Sequence, residues 1–308
     1  MMKKYLIGID VGGTAIKIGQ FDLAGVMINK WDLPTNKTDC GQHILPEISH
    51  FLNENINLEE VKGIGFGVPG PVTAGVIKNG VNLGWDTIDV VGEFSKLLTN
   101  KDIIVKVSND ANVAAAGETF CGAAQGYQNV CLFTIGTGVG GGIIIMGKLI
   151  DGHDGMGGEV GHMLVDQKRR FLCNCGKSGC LETVASATGI INLAKLYRIE
   201  DPTSKLNRYD RLSAKMVFDF AKKGDRIALR VVDEATNYLA YAFSLVTLVV
   251  NPDIFVIGGG VSYAGQFLID KIESQYYQYV TPFISHAKFA LAQLGNEAGM
   301  YGAAYQVR

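Results

Sequence analysis

The chain has 308 residues, 47% of them hydrophobic and 19% charged, with a formal net charge of −2 at pH 7. That length is more than one core usually absorbs, so one large or two linked domains are expected. With no basic or acidic block, the charge pattern argues against nucleic acid or a membrane surface as partner. Glycine is in excess at 39 residues, and its clustering suggests loops that bring backbone amides close to a ligand.

Met1-Met2-Lys3-Lys4 runs directly into a first apolar strand at residues 5–9, without the features of a signal peptide. Asp10-Val11-Gly12-Gly13-Thr14 then turns the chain into a second strand over residues 15–21. The turn's amides could converge on an anion, or form an ordinary Gly-Gly hairpin. Asp10 at its entrance could hold Mg²⁺ through water beside a phosphate. A third strand is expected at 26–33, a helix at 43–55 and a strand at 61–68 that ends in Pro69-Gly70-Pro71. In the loop of residues 79–86, Asn82-Leu83-Gly84-Trp85 sets an amide beside an aromatic, which suits a sugar or a packed turn.

A helix at 90–98 and a strand at 103–107 lead to Asn109-Asp110-Ala111-Asn112, followed by the helical run from Val113 to Glu118. Open α/β sheets place their chemistry at the carboxyl ends of strands, so Asp110 is a candidate proton acceptor from a substrate hydroxyl. The competing reading makes it a helix N-cap.

A strand at 130–134, the glycine-rich turn 136–142 and a strand at 143–146 echo the hairpin at Asp10, as a two-lobed internal repeat would. Gly136-x-Gly138-x-x-Gly141 fits a dinucleotide fingerprint, but a strand follows where a helix must start. Gly142-x-x-x-x-Gly147-Lys148 has Leu149 where a P-loop needs Ser or Thr. Both matches are set aside.

Three of the six cysteines fall in Cys173-Asn174-Cys175-Gly176-Lys177-Ser178-Gly179-Cys180, while Cys40, Cys121 and Cys131 are scattered. With His162 of Glu159-Val160-Gly161-His162, those three form a Cys₃His set suited to a structural Zn²⁺; the alternative is three unrelated thiols. Metal-type spacing and no leader point to a reducing, cytoplasmic home. His43, His50, His153 and His286 are read as surface or packing residues. The remainder is mainly helical, at 184–197, 213–222 and 225–250. A strand at 253–257 ends in Gly258-Gly259-Gly260, which would admit a flat ring such as adenine or turn the strand into a helix, and a last helix spans 297–307. The apolar run from Leu239 to Val250 is too short for a bilayer and reads as a buried helix.

Taken in order, these motifs resemble the ROK family (repressors, open reading frames, kinases), most closely its bacterial ATP-dependent glucokinases. The similarity covers essentially the whole chain. It implies an α/β fold of the two-lobed actin/Hsp70/hexokinase type (ribonuclease H-like), with ATP and a hexose meeting in a cleft. The expected lobes are residues 1–118, completed by a C-terminal helix at 297–308, and residues 119–296. By resemblance Asp110 is the catalytic base, and Gly70, Asn82, Asn109, Glu159, His162 and Glu182 lie at the sugar. Asp10, Gly12, Gly13, Thr14 and Lys17 with Gly136, Thr137, Gly138 and Gly140 hold the phosphates, and Gly258, Gly259 and Gly260 the adenosine. His162, Cys173, Cys175 and Cys180 ligate zinc, Mg²⁺ accompanies ATP, and a homodimer or homotetramer is expected. Within the family, kinases for N-acetylmannosamine, N-acetylglucosamine or fructose, polyphosphate as donor, and a non-catalytic sugar sensor are the alternatives. The family's DNA-binding repressors carry a helix-turn-helix segment before the first phosphate turn, and the turn at Asp10 leaves no room for one.

Overall fold

The computed structural model describes residues 3–78, 80–284 and 287–308. Met1 and Met2 of the amino-terminal reading, Asn79 of the Asn82 loop, and Ser285 and His286 lie outside the described residues.

The first sheet is built from β1 (Tyr5–Val11), β2 (Ala15–Asp22), β3 (Met27–Pro34), β4 (Val61–Val68) and β8 (Ile104–Asn109), in the order β3-β2-β1-β4-β8. β1 pairs antiparallel with β2 and parallel with β4, which pairs parallel with β8. The central strands are buried nearly throughout, so they read as apolar runs and not as an alternation. A small sheet of β5 (Val72–Thr73), β6 (Val76–Lys78) and β7 (Thr87–Asp89) was not legible beforehand, since strands this short leave almost no periodicity.

The second large sheet uses β9 (Val130–Ile135), β10 (Val139–Ile145), β11 (Lys148–Leu149), β12 (Ile254–Gly258) and β13 (Lys288–Leu291). Its order, β11-β10-β9-β12-β13, repeats that of the first sheet. The echo between the two glycine turns is therefore a repeat of topology. β10 starts at Val139, so Gly140 and Gly142 lie in a strand and the turn proper is only Gly136-Thr137-Gly138.

The helices are α1 (Ile44–Asn55), α2 (Val90–Leu97), α3 (Asp110–Cys121), α4 (Glu182–Ala185), α5 (Ala187–Tyr197), α6 (Ala214–Lys222), α7 (Arg226–Val250), α8 (Gln266–Tyr276) and α9 (Ala298–Tyr305). The single helix expected at 184–197 is broken at Ser186, whose extended backbone and side chain cap α5 at Gly189 N–H. α7 ends where Asn251 turns left-handed (φ 46°) before Pro252. Its last turn is not buried as the apolar run suggested, for Leu248 and Val249 are exposed. Among the described residues no helix is long and apolar enough to cross a membrane.

Two compact units divide the chain, one of Met1–Gln128, Gly142–Gly158 and Gln293–Arg308, the other of Asn129–Gly141 and Glu159–Ala292. In the first, α9 lies on the sheet at Gly8 and Gly65, which face each other in the β1–β4 register. It also meets α3 through Gly117 and Gly302. A methyl group on Gly8 would overlap the Met300 carbonyl, and one on Gly65 the Ala303 carbonyl. These four glycines thus serve backbone-to-backbone packing, a use outside the glycine clusters singled out as ligand loops. Gly302→Ala would press a methyl against the Val113 carbonyl. We expect it to destabilise the protein by about 3 kcal/mol, read as a lower urea midpoint.

Candidate functional site

In the first unit the end of β1 presents Asp10, and the β1–β2 turn that follows presents Gly12, Gly13 and Thr14. Gly12 N–H donates to Ala15 O at 3.0 Å, Thr35 Oγ1 donates to Gly12 O at 2.7 Å, and Thr35 N–H donates to Thr14 O at 3.1 Å, which stiffens the turn from β3. Burial raises the Asp10 carboxyl above its usual value, Lys17 opposes that, and Asp110 adds to it. Lys17 Nζ stands 4.0 Å from Asp10 Oδ2 and donates to Asn296 O at 2.8 Å. A Cβ at Gly299 of α9 would sit 2.7 Å from Asp10 Cγ, so the missing side chain leaves this carboxylate its space. A crowded carboxylate with one distant cation fits a place for Mg²⁺ beside phosphate. Gly299 escaped the sequence reading; its only signal was the small-residue run Ala298-Gly299 and Gly302-Ala303-Ala304.

At the end of β8 the competing reading of Asp110 is resolved in favour of its neighbour. Asn109 is the N-cap of α3: its Oδ1 accepts from Ala111 N–H at 2.9 Å and its Nδ2 donates to Gly70 O at 3.1 Å. Asp110 is the first helical residue, keeps a solvent-facing side, and has Oδ1 2.8 Å from Ala111 N. Desolvation raises its carboxyl above the usual value, against hydrogen bonds from Ala111 N–H and Asn109. Gly70, with φ +119°, supplies the carbonyl that orients Asn109.

Asn82 is exposed, and of the two readings of the loop Trp85 takes the packed one. The indole is 4% exposed and donates Nε1–H to Gly41 O at 2.9 Å. That bond and the left-handed pair Asp39 and Cys40 (φ 50° and 58°) make Trp85 the buttress of the Asn82 loop. A Cβ on Gly13 would come within 3.3 Å of Asn82 O, so this loop and the phosphate turn abut. His43 and His50 pair at the surface with Asp39 and Glu54, and His153 is exposed, as expected.

In the second unit the turn Gly136-Thr137-Gly138 is held by α5, through Ala187 N–H to Gly136 O at 2.8 Å and Thr188 Oγ1–H to Thr137 O at 2.9 Å. A Cβ on Gly138 would stand 2.6 Å from Glu182 Oε2, and one on Gly259 (φ +81°) 2.6 Å from Ile135 O. Turn, Glu182 and the end of β12 are thus brought together, whereas a Cβ on Gly260 would meet nothing within 4 Å. A cavity of about 140 Å³ beside the turn is lined by Thr137, Gly138, Cys173 and Glu182 among others.

The ligand atoms of His162, Cys173, Cys175 and Cys180 all lie within 4.8 Å of one another. Cys175 and Cys180 sulfurs are 3.6 Å apart, and Cys173 Sγ is 3.5 Å from His162 Nδ1. A tetrahedron with Zn–S bonds of about 2.3 Å has edges near 3.8 Å, so the set fits zinc. Burial and then the hydrogen bond to Glu182 raise the Cys173 thiol; burial raises Cys180; the Lys177 N–H lowers Cys175. Cys173 Sγ lies 2.9 Å from Glu182 Oε1. On the His162 ring, Nε2 faces Glu159 Oε2 at 3.8 Å while Nδ1 faces the Cys173 thiol. Arg170 anchors the segment, bridging Asp166 at 3.1 Å and Glu234 at 2.7 Å, and no local pattern in the sequence marks it.

A family model described as the ROK family matches residues 6–308. A glucokinase of Halalkalibacterium halodurans is 41% identical over all of this chain and 96% of its own length. A ROK-family glucokinase from Streptomyces griseus, solved with glucose and AMPPNP, is 30% identical with a TM-score of 0.73 over 97% of this chain and 98% of that one. A ROK hexokinase from Thermus thermophilus is 28% identical with a TM-score of 0.82, over 98% and 97% of the two chains.

Proposed function

The chain belongs to the ROK family, and we propose that it is an ATP-dependent glucokinase that transfers the γ-phosphoryl group of ATP to the 6-hydroxyl of glucose. The observation that carries this reading is the pair of carboxylates in the first unit. Asp10 stands at the phosphate turn and Asp110 at a strand end, near enough that the charge of Asp110 raises Asp10.

Phosphoryl transfer passes through a loose transition state, so positioning and charge neutralisation count for more than a strong base. Asp110 steers the 6-hydroxyl and accepts its proton late, while Asn109, fixed at both ends of its amide, keeps the first turn of α3 in place. Asn82 and Asn109 in the first unit, and Glu159, His162 Nε2 and Glu182 in the second, are the proposed ligands of sugar hydroxyls. The amides of the Asp10 and Gly136 turns and Lys17 take the phosphates, and Gly258 to Gly260 the adenosine. Mg²⁺, when bound with the nucleotide, neutralises phosphate charge, and Asp10 is the residue that would hold it. Zn²⁺ on His162, Cys173, Cys175 and Cys180 would fasten the segment that ends at Glu182. Free cysteines support a reducing, cytoplasmic location. The net charge of −2 speaks against nucleic acid, and a homodimer or homotetramer rests on the family resemblance.

The test is a coupled ADP-release assay with Mg·ATP and glucose, fructose, mannose, N-acetylmannosamine or N-acetylglucosamine in turn. Strong preference for glucose is expected. Preference for an N-acetylated sugar would move the substrate and keep the mechanism, and no turnover with any sugar would leave a sensor. The raised carboxyl also sets a pH dependence. Activity falls as pH drops through the Asp110 value, so the acid limb of kcat/KM should lie above 3.8, the ordinary Asp value. A limb at or below that value would remove Asp110 from the role.

A further inference from the structure

Resting on the kinase reading above, we infer that Asp151 is a positioning residue for the catalytic segment. It lies in the first unit with Asp110, and one of its oxygens gathers two donors that bracket that segment in sequence. Ser108 Oγ–H donates to Asp151 Oδ1 at 3.0 Å and Asn112 Nδ2–H donates to the same oxygen at 2.9 Å. Ser108 and Asn112 are each 2% exposed, whereas Asp151 is exposed, so a surface carboxylate reaches in to hold two buried side chains. Between those donors lie Asn109 and Asp110, the last residue of β8 and the first of α3.

Asn109 is tied to Gly70 and to Ala111, but Asn112 Oδ1 meets no donor among the described residues. The Asp151 bond is therefore what sets how the buried Asn112 amide is turned. Hydrogen bonds to a charged acceptor are the stronger kind, and a buried amide that loses such a partner bears the desolvation cost unrelieved.

The backbone of Asp151 is held as well. Its carbonyl accepts from Gly157 N–H at 2.8 Å, which closes the segment into a compact loop. Gly155 (φ +79°) packs against Val72 of β5 so closely that a Cβ would overlap the Val72 carbonyl. The loop is thus seated on the first unit at both Asp151 and Gly155. In sequence it runs on to Glu159, so the residue that orients the base also fixes the start of the connection to a proposed sugar ligand. Nothing in the local sequence Ile150-Asp151-Gly152-His153 marks this role, because the partners are about 40 residues away.

The test compares Asp151→Ala with Asp151→Asn in the full chain. The amide variant keeps an oxygen acceptor at the same place, so positioning predicts rescue. Misplacing a reacting group by about 1 Å costs up to about 100-fold in rate. We therefore expect Asp151→Ala to lower kcat between about 10- and 100-fold with glucose KM within about threefold, and Asp151→Asn to stay within about threefold on both. Hydrogen exchange of the amides of residues 109–115 in the sugar-free protein should quicken in Asp151→Ala and not in Asp151→Asn. Wild-type kcat in Asp151→Ala, a change confined to KM, or an Asp151→Asn as impaired as the alanine variant would each overturn the inference. Should Asp151→Ala fail to fold, Ser108→Ala removes one donor and must show the same directions; unchanged kcat and exchange there would overturn it too. Absence of turnover in the wild-type protein would instead count against the kinase reading, and the exchange measurement would still judge Asp151.

Discussion

Asp110→Asn is expected to turn over glucose about 10² to 10⁴ times more slowly than the wild-type protein while binding the sugar almost as well. The substitution keeps the shape at the start of α3 and an oxygen for the Ala111 amide, so the cap made by Asn109 is untouched. What is lost is the acceptor for the 6-hydroxyl proton. A second consequence follows from the sign of the shift. The folded-state pKa of Asp110 is raised above its unfolded value, so ionising it costs stability. That cost is absent below the unfolded value, grows as pH rises through it, and is complete above the folded one. At neutral pH the asparagine variant should therefore melt slightly higher than wild type, a stability gain joined to a loss of activity. Isothermal titration with glucose, steady-state kinetics and thermal melts at two pH values read all three effects. Turnover within several-fold of wild type would show that the base is another group.

The second large effect is expected at the thiol cluster. Cys180→Ser should abolish stoichiometric zinc, measured by elemental analysis of the purified protein, and raise glucose KM about 10- to 100-fold. Cys180 is buried, and Leu181 N–H donates to Met163 O at 2.9 Å, so the cluster ties the stretch after His162 to the residue before Glu182. Without the ion, His162 Nδ1 is released and the face that Nε2 turns toward Glu159 is no longer held. Binding energy lent by metal to a short loop is folding energy for that loop. A serine variant with no zinc and an unchanged KM would show that the ion does not organise the sugar ligands.

Much of this was readable in one dimension. Apolar runs fixed in length by glycine and proline located β1, β4 and β9, and the repeated strand-turn-strand pattern pointed to a two-lobed repeat, which the structure realises as two sheets of one strand order. Short-range chemistry was likewise legible: a Cys-x-Cys-x₄-Cys loop cannot help bringing its thiols together, and Asp10 could only stand at a hairpin entrance. These features depend on residues within a few positions of one another, where chain geometry leaves little choice.

Tertiary structure decided what depends on distant partners. Asn109, and not Asp110, caps the helix, and the other end of its amide is held by the carbonyl of Gly70, just beyond the neighbouring strand β4. Between the two readings of Trp85, sugar-facing or packed, the choice rests on Gly41, 44 residues away, which supplies an acceptor for its indole. Gly8, Gly65 and Gly302 serve the close approach of α9, which no local pattern distinguishes from a ligand-binding turn. Asp151 and Arg170 are single polar side chains in loops whose partners lie far along the chain. A sequence reveals which groups are able to bond; which of them are within 3 Å of each other is settled only when the backbone between them has folded.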